Sequence, residues 1–126
     1  MAKDAIRTEG APDAVGPYSQ GVRSAKLVFT SGQLPKPADG DLITDDIACA
    51  ARHCLENVQA VLESGGATMA DVVKVTVFLT DMDDFAAVNS VYAEFFPEPY
   101  PARSCIEVAR LPKDAPIEIE AVAVVA

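Results

Sequence analysis

The segment Pro101-Ala102-Arg103-Ser104-Cys105-Ile106-Glu107-Val108-Ala109-Arg110-Leu111-Pro112-Lys113-Asp114 holds the residue types best suited to chemistry on a small acid. Its first half alternates. An extended strand would turn Arg103, Cys105 and Glu107 to one side and Ser104, Ile106 and Val108 to the other. A guanidinium at the start of a strand, behind a proline, makes a good carboxylate receptor: it is always charged, and its fork matches two carboxylate oxygens. A strand also holds such a fork more accurately than a loop does. Cys105 is a weaker candidate as a nucleophile. The single histidine, His53, falls on a helix, so nothing nearby would activate the thiol. Polar residues that packing does not explain also stand at Gly16-Pro17-Tyr18-Ser19-Gln20, at Thr30-Ser31-Gly32-Gln33, at Asn89 and at Glu118.

The elements that must position these residues are legible from periodicity. Gly16-Pro17 signals a turn. Val22 to Ser31 reads as a hairpin turning near Ser24-Ala25-Lys26, and Pro35 to Gly40 reads as a loop. From about Asp46 to Ser64 the period is helical, with Ile47, Ala51, Cys54, Leu55, Val58, Val61 and Leu62 on one stripe. Thr44 or Asp45 can cap its start, and Gly65-Gly66 stops it. Cys54 therefore packs, and His53 lies at the surface or boundary. Val72 to Leu79 is a strand with Val73, Val75, Val77 and Leu79 on one face. Asp81 to Asp84 caps a second helix, whose stripe is Phe85, Val88, Tyr92, Phe95 and Phe96. Asn89 shares the side of Phe85 and Tyr92, where an amide needs a partner. Pro97, Pro99 and Pro101 stiffen the loop that leads to Arg103.

The last strand, Ile117 to about Val125, sends Ile117 and Ile119 to the core and Glu118 and Glu120 to the other face, which Val122 and Val124 continue. A strand apolar on both faces needs cover on both, yet two helices cover only one side of a small sheet. The second face therefore predicts contact with another subunit. The expected fold is an α+β sandwich: a mostly antiparallel sheet with two helices packed on one face.

Composition narrows the function. The 126 residues suggest one domain, 1–126, and half of them are hydrophobic. No apolar run approaches the roughly 20 residues of a membrane helix, and the start MAKDAIRTEGAPD shows no secretion signal. Cys49, Cys54 and Cys105 form no Cys-x-x-Cys pair, which makes a zinc site a poor expectation and fits reduced thiols in cytoplasm. The net charge of −9, from 19 acidic and 10 basic residues, opposes nucleic-acid binding. An anionic substrate would need a local cation, and Arg103 is the best one.

Taken together, Ser31-Gly32-Gln33, Val73-Lys74-Val75-Thr76-Val77-Phe78-Leu79, Asp84-Phe85-Ala86-Ala87-Val88-Asn89 and the long Pro101 to Asp114 stretch closely resemble the RidA group of the YjgF family, the reactive intermediate deaminases. The resemblance runs from about Gly16 to Val124. It implies a chorismate-mutase-like fold with a six-stranded sheet, assembled as a homotrimer with active sites in the clefts between subunits. It implies hydrolysis of 2-imino acids and their enamine tautomers (2-iminobutanoate and 2-iminopropanoate, formed by pyridoxal-phosphate enzymes acting on Thr or Ser) to 2-keto acids and ammonia. No cofactor, metal, nucleic acid or membrane is implied. By the same resemblance Arg103 clamps the substrate carboxylate and Glu118 stands near the hydrolytic water. The Cys105 backbone lines the site, and Tyr18, Ser31, Gly32 and Asn89 are pocket residues. Glu118 is the candidate base or water-positioner; Tyr18 and Ser31 would help the enamine–imine step. Arg110 and Lys113 are expected to support the Leu111-Pro112 loop. The loop Phe96 to Pro101 is shorter than in many such sequences, which puts Tyr100 by the pocket and bears on substrate size. The competing readings are a regulatory trimer that binds small keto acids without turnover, an endoribonuclease or translation inhibitor, which the acidic balance opposes, and a holdase.

Overall fold

The computed structural model describes residues 2–126; the first residue of the expected 1–126 domain lies outside them. Six strands and two helices follow in the order β1 (Asp4–Ile6), β2 (Gly21–Ser24), β3 (Leu27–Thr30), α1 (Ile47–Ser64), β4 (Val72–Leu79), α2 (Phe85–Phe95), β5 (Ala102–Glu107) and β6 (Ile117–Val124). They form one sheet in the order β1-β2-β3-β6-β4-β5. All neighbours are antiparallel except β4 and β5. That parallel pair follows from the chain: α2 carries it from the end of β4 back to the start of β5, the kind of crossover a parallel pair requires. The sheet is therefore mixed, and mostly antiparallel as expected.

The helices cover one face. Their buried stripes, Ala51, Cys54, Leu55, Val58, Val61 and Leu62 on α1 and Val88, Val91 and Tyr92 on α2, meet Val28, Val75, Val77, Leu79, Ile117 and Ile119 of the sheet. Burying each of the large aliphatic side chains contributes about 1.5–3 kcal/mol. Alternation in β6 puts Ile117, Ile119, Ala121 and Ala123 into this core and Glu118, Glu120, Val122 and Val124 on the opposite face. Among the described residues no helix lies over that face, and Leu27, Phe29, Ile106 and Val124 are exposed on it. Among the described residues, no helix is long and apolar enough to cross a membrane.

Three local details differ from the sequence reading. Asp46, not Thr44 or Asp45, caps α1: its Oδ1 accepts from the backbone N–H of Cys49 at 3.1 Å. Val73 does not join Val75, Val77 and Leu79. A bulge between Val72 and Lys74 against β6 sends Val72 inward and leaves Val73 47% exposed, because one inserted residue reverses the alternation beyond it. On α2, Val91 joins the buried stripe while Phe85 and Phe95 pack half-buried at its edges, and Phe96 is buried just beyond the helix end. The Asp81 side chain accepts from the N–H of Asp83 and opens a short turn, Met82–Asp84, ahead of the helix.

Candidate active site

The structure sorts the predicted site residues into two groups. Tyr18, Ser31, Gly32 and Glu118 line one cavity of about 470 Å³, together with Gln20, Gln33, Lys36 and Lys113. Arg103, Asn89 and Cys105 lie away from that cavity, at the β5 edge and beneath α2.

A mismatch between β3 and β6 builds the cavity. Phe29 pairs with Val122, and the next pairing is Gln33 with Ile119. Three residues, Thr30 to Gly32, thus face two, Glu120 and Ala121. Such a bulge re-aims side chains at a sheet's rim. The Thr30 hydroxyl accepts from the N–H of Ala121 at 3.0 Å and fills the interrupted ladder. Gly32 is brought directly over the Glu118 carboxylate; a β-carbon there would overlap its Oε2. Only glycine leaves that space.

The neighbouring loop is tied to the bulge. The N–H of Ser31 donates to the Gln20 carbonyl at 2.9 Å, and its hydroxyl donates to the Ser19 carbonyl at 2.6 Å. Ser31 therefore anchors the loop while its oxygen can still accept. The buried Gln20 amide organises the other wall: its Oε1 accepts from the Thr8 N–H, and its Nε2 donates to the carbonyls of Ala11 and Pro12. Tyr18 is 54% exposed, and its hydroxyl oxygen accepts from the Val15 N–H at 3.3 Å, which leaves its own proton free.

Burial, and secondarily the Glu120 charge, push the Glu118 carboxyl above the usual carboxylate range. A raised carboxyl takes up and returns a proton more readily near neutral pH than an ordinary glutamate does. Lys113 stands at the same cavity in the left-handed region, φ 59°. Its loop is held by Arg110, whose Nη2 donates to Asp114 Oδ1 at 2.9 Å. Arg110 thus has the expected loop role, and Lys113 adds to the cavity wall.

The second group is set by the register of β5 on β4. Val75 pairs with Arg103 and Val77 with Cys105, so both residues share the helix-covered face, while Ser104 pairs with Thr76 on the open one. There Ser104 accepts from Lys74 Nζ at 2.8 Å. Arg103 is half-buried, and its Nη1 donates to Asn89 Oδ1 at 2.7 Å. This is the partner that Asn89's place on the helix stripe required, and it makes Asn89 a residue that positions Arg103. No carboxylate among the described residues lies within ion-pair distance of Arg103. Burial pushes the Cys105 thiol up, against a smaller opposing pull from Arg103, so the thiol stays protonated and packs. Tyr100 is exposed and is absent from the cavity wall.

Arg103 and Glu118 therefore sit on opposite faces of the sheet, with β4 between their strands. One chain does not bring them together. Sequence reasoning marked Gln20 only as part of the Gly16 to Gln20 segment and gave it no role of its own, and it passed over Lys36.

A profile of the family described as Endoribonuclease L-PSP matches residues 8–125. The chain belongs to the YjgF/Rid family. Among its family relatives, a RutC family protein of Haemophilus influenzae is 55% identical, covering 98% of each chain. A 2-iminobutanoate/2-iminopropanoate deaminase of Salmonella typhimurium is 52% identical, over 94% of this chain and 95% of that one. The crystal structure of Escherichia coli TdcF with bound serine superposes with a TM-score of 0.92 at 49% identity, covering 98% and 99% of the two chains. The expected α+β architecture of this YjgF/Rid chain, two helices on one face of a six-stranded sheet, agrees with these neighbours.

Proposed function

We propose that this protein hydrolyses 2-imino acids and their enamine tautomers to 2-keto acids and ammonia, with 2-iminobutanoate and 2-iminopropanoate as substrates. The observation that carries the reading is Arg103: a half-buried guanidinium fixed at Nη1 by Asn89, with no acidic partner among the described residues. Among the described residues nothing bonds its Nε–Nη2 edge, which suits the two oxygens of a substrate carboxylate. A protonated imine is already a strong electrophile, so the protein has mainly to orient it and a water. The water oxygen bonds to C2 and gives a proton to the Glu118 carboxylate. That proton then passes to the amine of the resulting carbinolamine. As the C–N bond breaks, the carbinol hydroxyl gives its proton to Glu118 and becomes the keto C=O. Ammonia and the keto acid leave, and Glu118 releases the proton to ammonia as ammonium. An enamine first takes a proton at C3, a step for which Tyr18, with its free hydroxyl proton, is placed in the cavity wall.

Because Arg103 and Glu118 occupy opposite faces, the site is completed by a second copy of the chain, which brings the Arg103 edge of one protomer to the Glu118 cavity of another in a homotrimer. The exposed apolar face supports such assembly. The reaction requires no cofactor or metal, and its place is the cytoplasm. The charge of −9 disfavours the endoribonuclease reading that the family's description suggests. The relative named as a deaminase supports the imine reading.

The test follows 2-ketobutanoate release when the protein is added to a threonine dehydratase in the presence of an imine-trapping amine. A charge-assisted hydrogen bond contributes about 1.5–3 kcal/mol, so Arg103→Ala, which removes two, should lose at least about a hundredfold. Equal acceleration by wild type and Arg103→Ala refutes the mechanism. Carboxylate binding without turnover by the wild type would instead favour the regulatory trimer.

A further inference from the structure

Beyond the hydrogen bond to Asn89, the Arg103 guanidinium lies over two aromatic rings. Its Cζ lies 4.7 Å from the Tyr92 ring centroid and 5.4 Å from that of Phe85. Phe85, Asn89 and Tyr92 are spaced i, i+4 and i+7, so one stripe of α2 supplies ring, amide and ring. The β5 register turns Arg103 onto that stripe. A single hydrogen bond at Nη1 would leave the guanidinium free to swing about it. Ring faces attract a cation and restrain its plane.

Tyr92 is well suited to such restraint. It is 7% exposed, and the Phe96 ring backs it at 4.6 Å, tilted by 38°. Its hydroxyl is buried without a hydrogen-bond partner among the described residues, so the oxygen does not account for its place there.

Resting on the reading of Arg103 as carboxylate receptor, we propose that Tyr92, assisted by Phe85, is a positioning residue: its ring sets the plane of the guanidinium and so presents the Nε–Nη2 edge to the substrate. The ring rather than the hydroxyl does this, so phenylalanine replaces it. Leucine removes the ring's face and leaves Arg103 charged but poorly oriented.

The experiment compares Tyr92→Phe, Tyr92→Leu and Phe85→Leu in the full chain, measuring KM, kcat and the inhibition constant of 2-ketobutanoate, with thermal unfolding alongside. Tyr92→Phe keeps wild-type constants. Tyr92→Leu raises KM and the inhibition constant by about 2- to 30-fold, the range of a ring–cation contact. Phe85→Leu, at a half-buried site, raises them less and serves in place of Tyr92→Leu should that variant not fold. A plain loss of structure is separated by repeating the change in Arg103→Lys, whose compact ammonium has no plane to set; there Tyr92→Leu adds about twofold or less. Full, additive loss in the lysine background overturns the inference, as does equal loss in Tyr92→Phe and Tyr92→Leu, or wild-type constants in folded leucine variants. If Arg103→Ala itself binds 2-ketobutanoate as wild type does, the carboxylate reading fails, and this inference with it.

Discussion

Replacing Gly32 by alanine disturbs one contact at the heart of the cavity. A β-carbon on Gly32 would stand 2.7 Å from Glu118 Cδ and 3.0 Å from Cγ, against an ordinary carbon–carbon separation of about 3.5–4.0 Å. Gly32 is outside the left-handed region, so alanine adds no backbone strain, and the clash falls on the carboxyl group alone. Glu118 must retreat by about 1 Å. A displacement of about that size costs on the order of a hundredfold in rate, or about 2.7 kcal/mol of barrier. The assay is 2-ketobutanoate release from imine generated in place by threonine dehydratase, with size and melting temperature checked in parallel. Because the Arg103 that would hold the substrate carboxylate comes from the neighbouring copy and makes no contact with Gly32 of this one, KM should stay within about threefold while kcat falls. A folded Gly32→Ala protein with wild-type kcat, alongside an inactive Glu118→Ala, would refute the claim that the Glu118 position is what Gly32 protects.

Four further outcomes follow from the same structure. Since burial and then the Glu120 charge raise the Glu118 carboxyl, kcat/KM should fall, as pH drops, above the ordinary glutamate value of about 4.3. Glu120→Gln removes one cause and should move that limb to lower pH; an unmoved limb speaks against Glu118 as the titrating base. A carboxyl whose folded value lies above its unfolded one contributes its stability fully below the unfolded value and loses it as pH rises through the folded value. Glu118→Gln should thus melt a few degrees higher than wild type at neutral pH, and a lower melting point would argue against that cost. Asn89→Ala, which frees the guanidinium, should raise KM by about 10-fold, as expected for a lost hydrogen bond to a charged group, with kcat less affected; a kcat-only loss in steady-state kinetics contradicts a positioning role. Leu55→Ala, fully buried on α1, should lower unfolding stability by about 2–5 kcal/mol in urea titration.

Much of this was legible in the chain because it is local. Helical period and the Gly65-Gly66 stop delimited α1, and alternation in Ile117 to Val124 correctly opposed Glu118 to Ile117 and Ile119. The bulge that expels Val73 is one residue long and leaves no periodic trace, and the choice of Asp46 as cap depended on one backbone angle. Asn89 on an aromatic stripe signalled a missing partner. That the partner is Arg103 depended on the parallel register of β5 on β4, a contact between segments that periodicity treats separately. The same holds for Gly32 over Glu118, which a mismatch between β3 and β6 creates. Tyr18 and Ser31 stood out only as members of polar segments that packing does not explain, and their site roles came from family resemblance. Tyr92 read as plain core because a ring that packs and a ring that also holds a cation have the same hydrophobic pattern.

The central claim is that an Arg103 edge and a Glu118 cavity from different copies make one site. The direct test mixes two inactive proteins, Arg103→Ala and Glu118→Ala, by joint unfolding and refolding. Random assembly would give about a quarter of the clefts both native residues, so imine hydrolysis should return to about a quarter of the wild-type rate. Mixed assemblies no more active than the two parents would contradict the shared site.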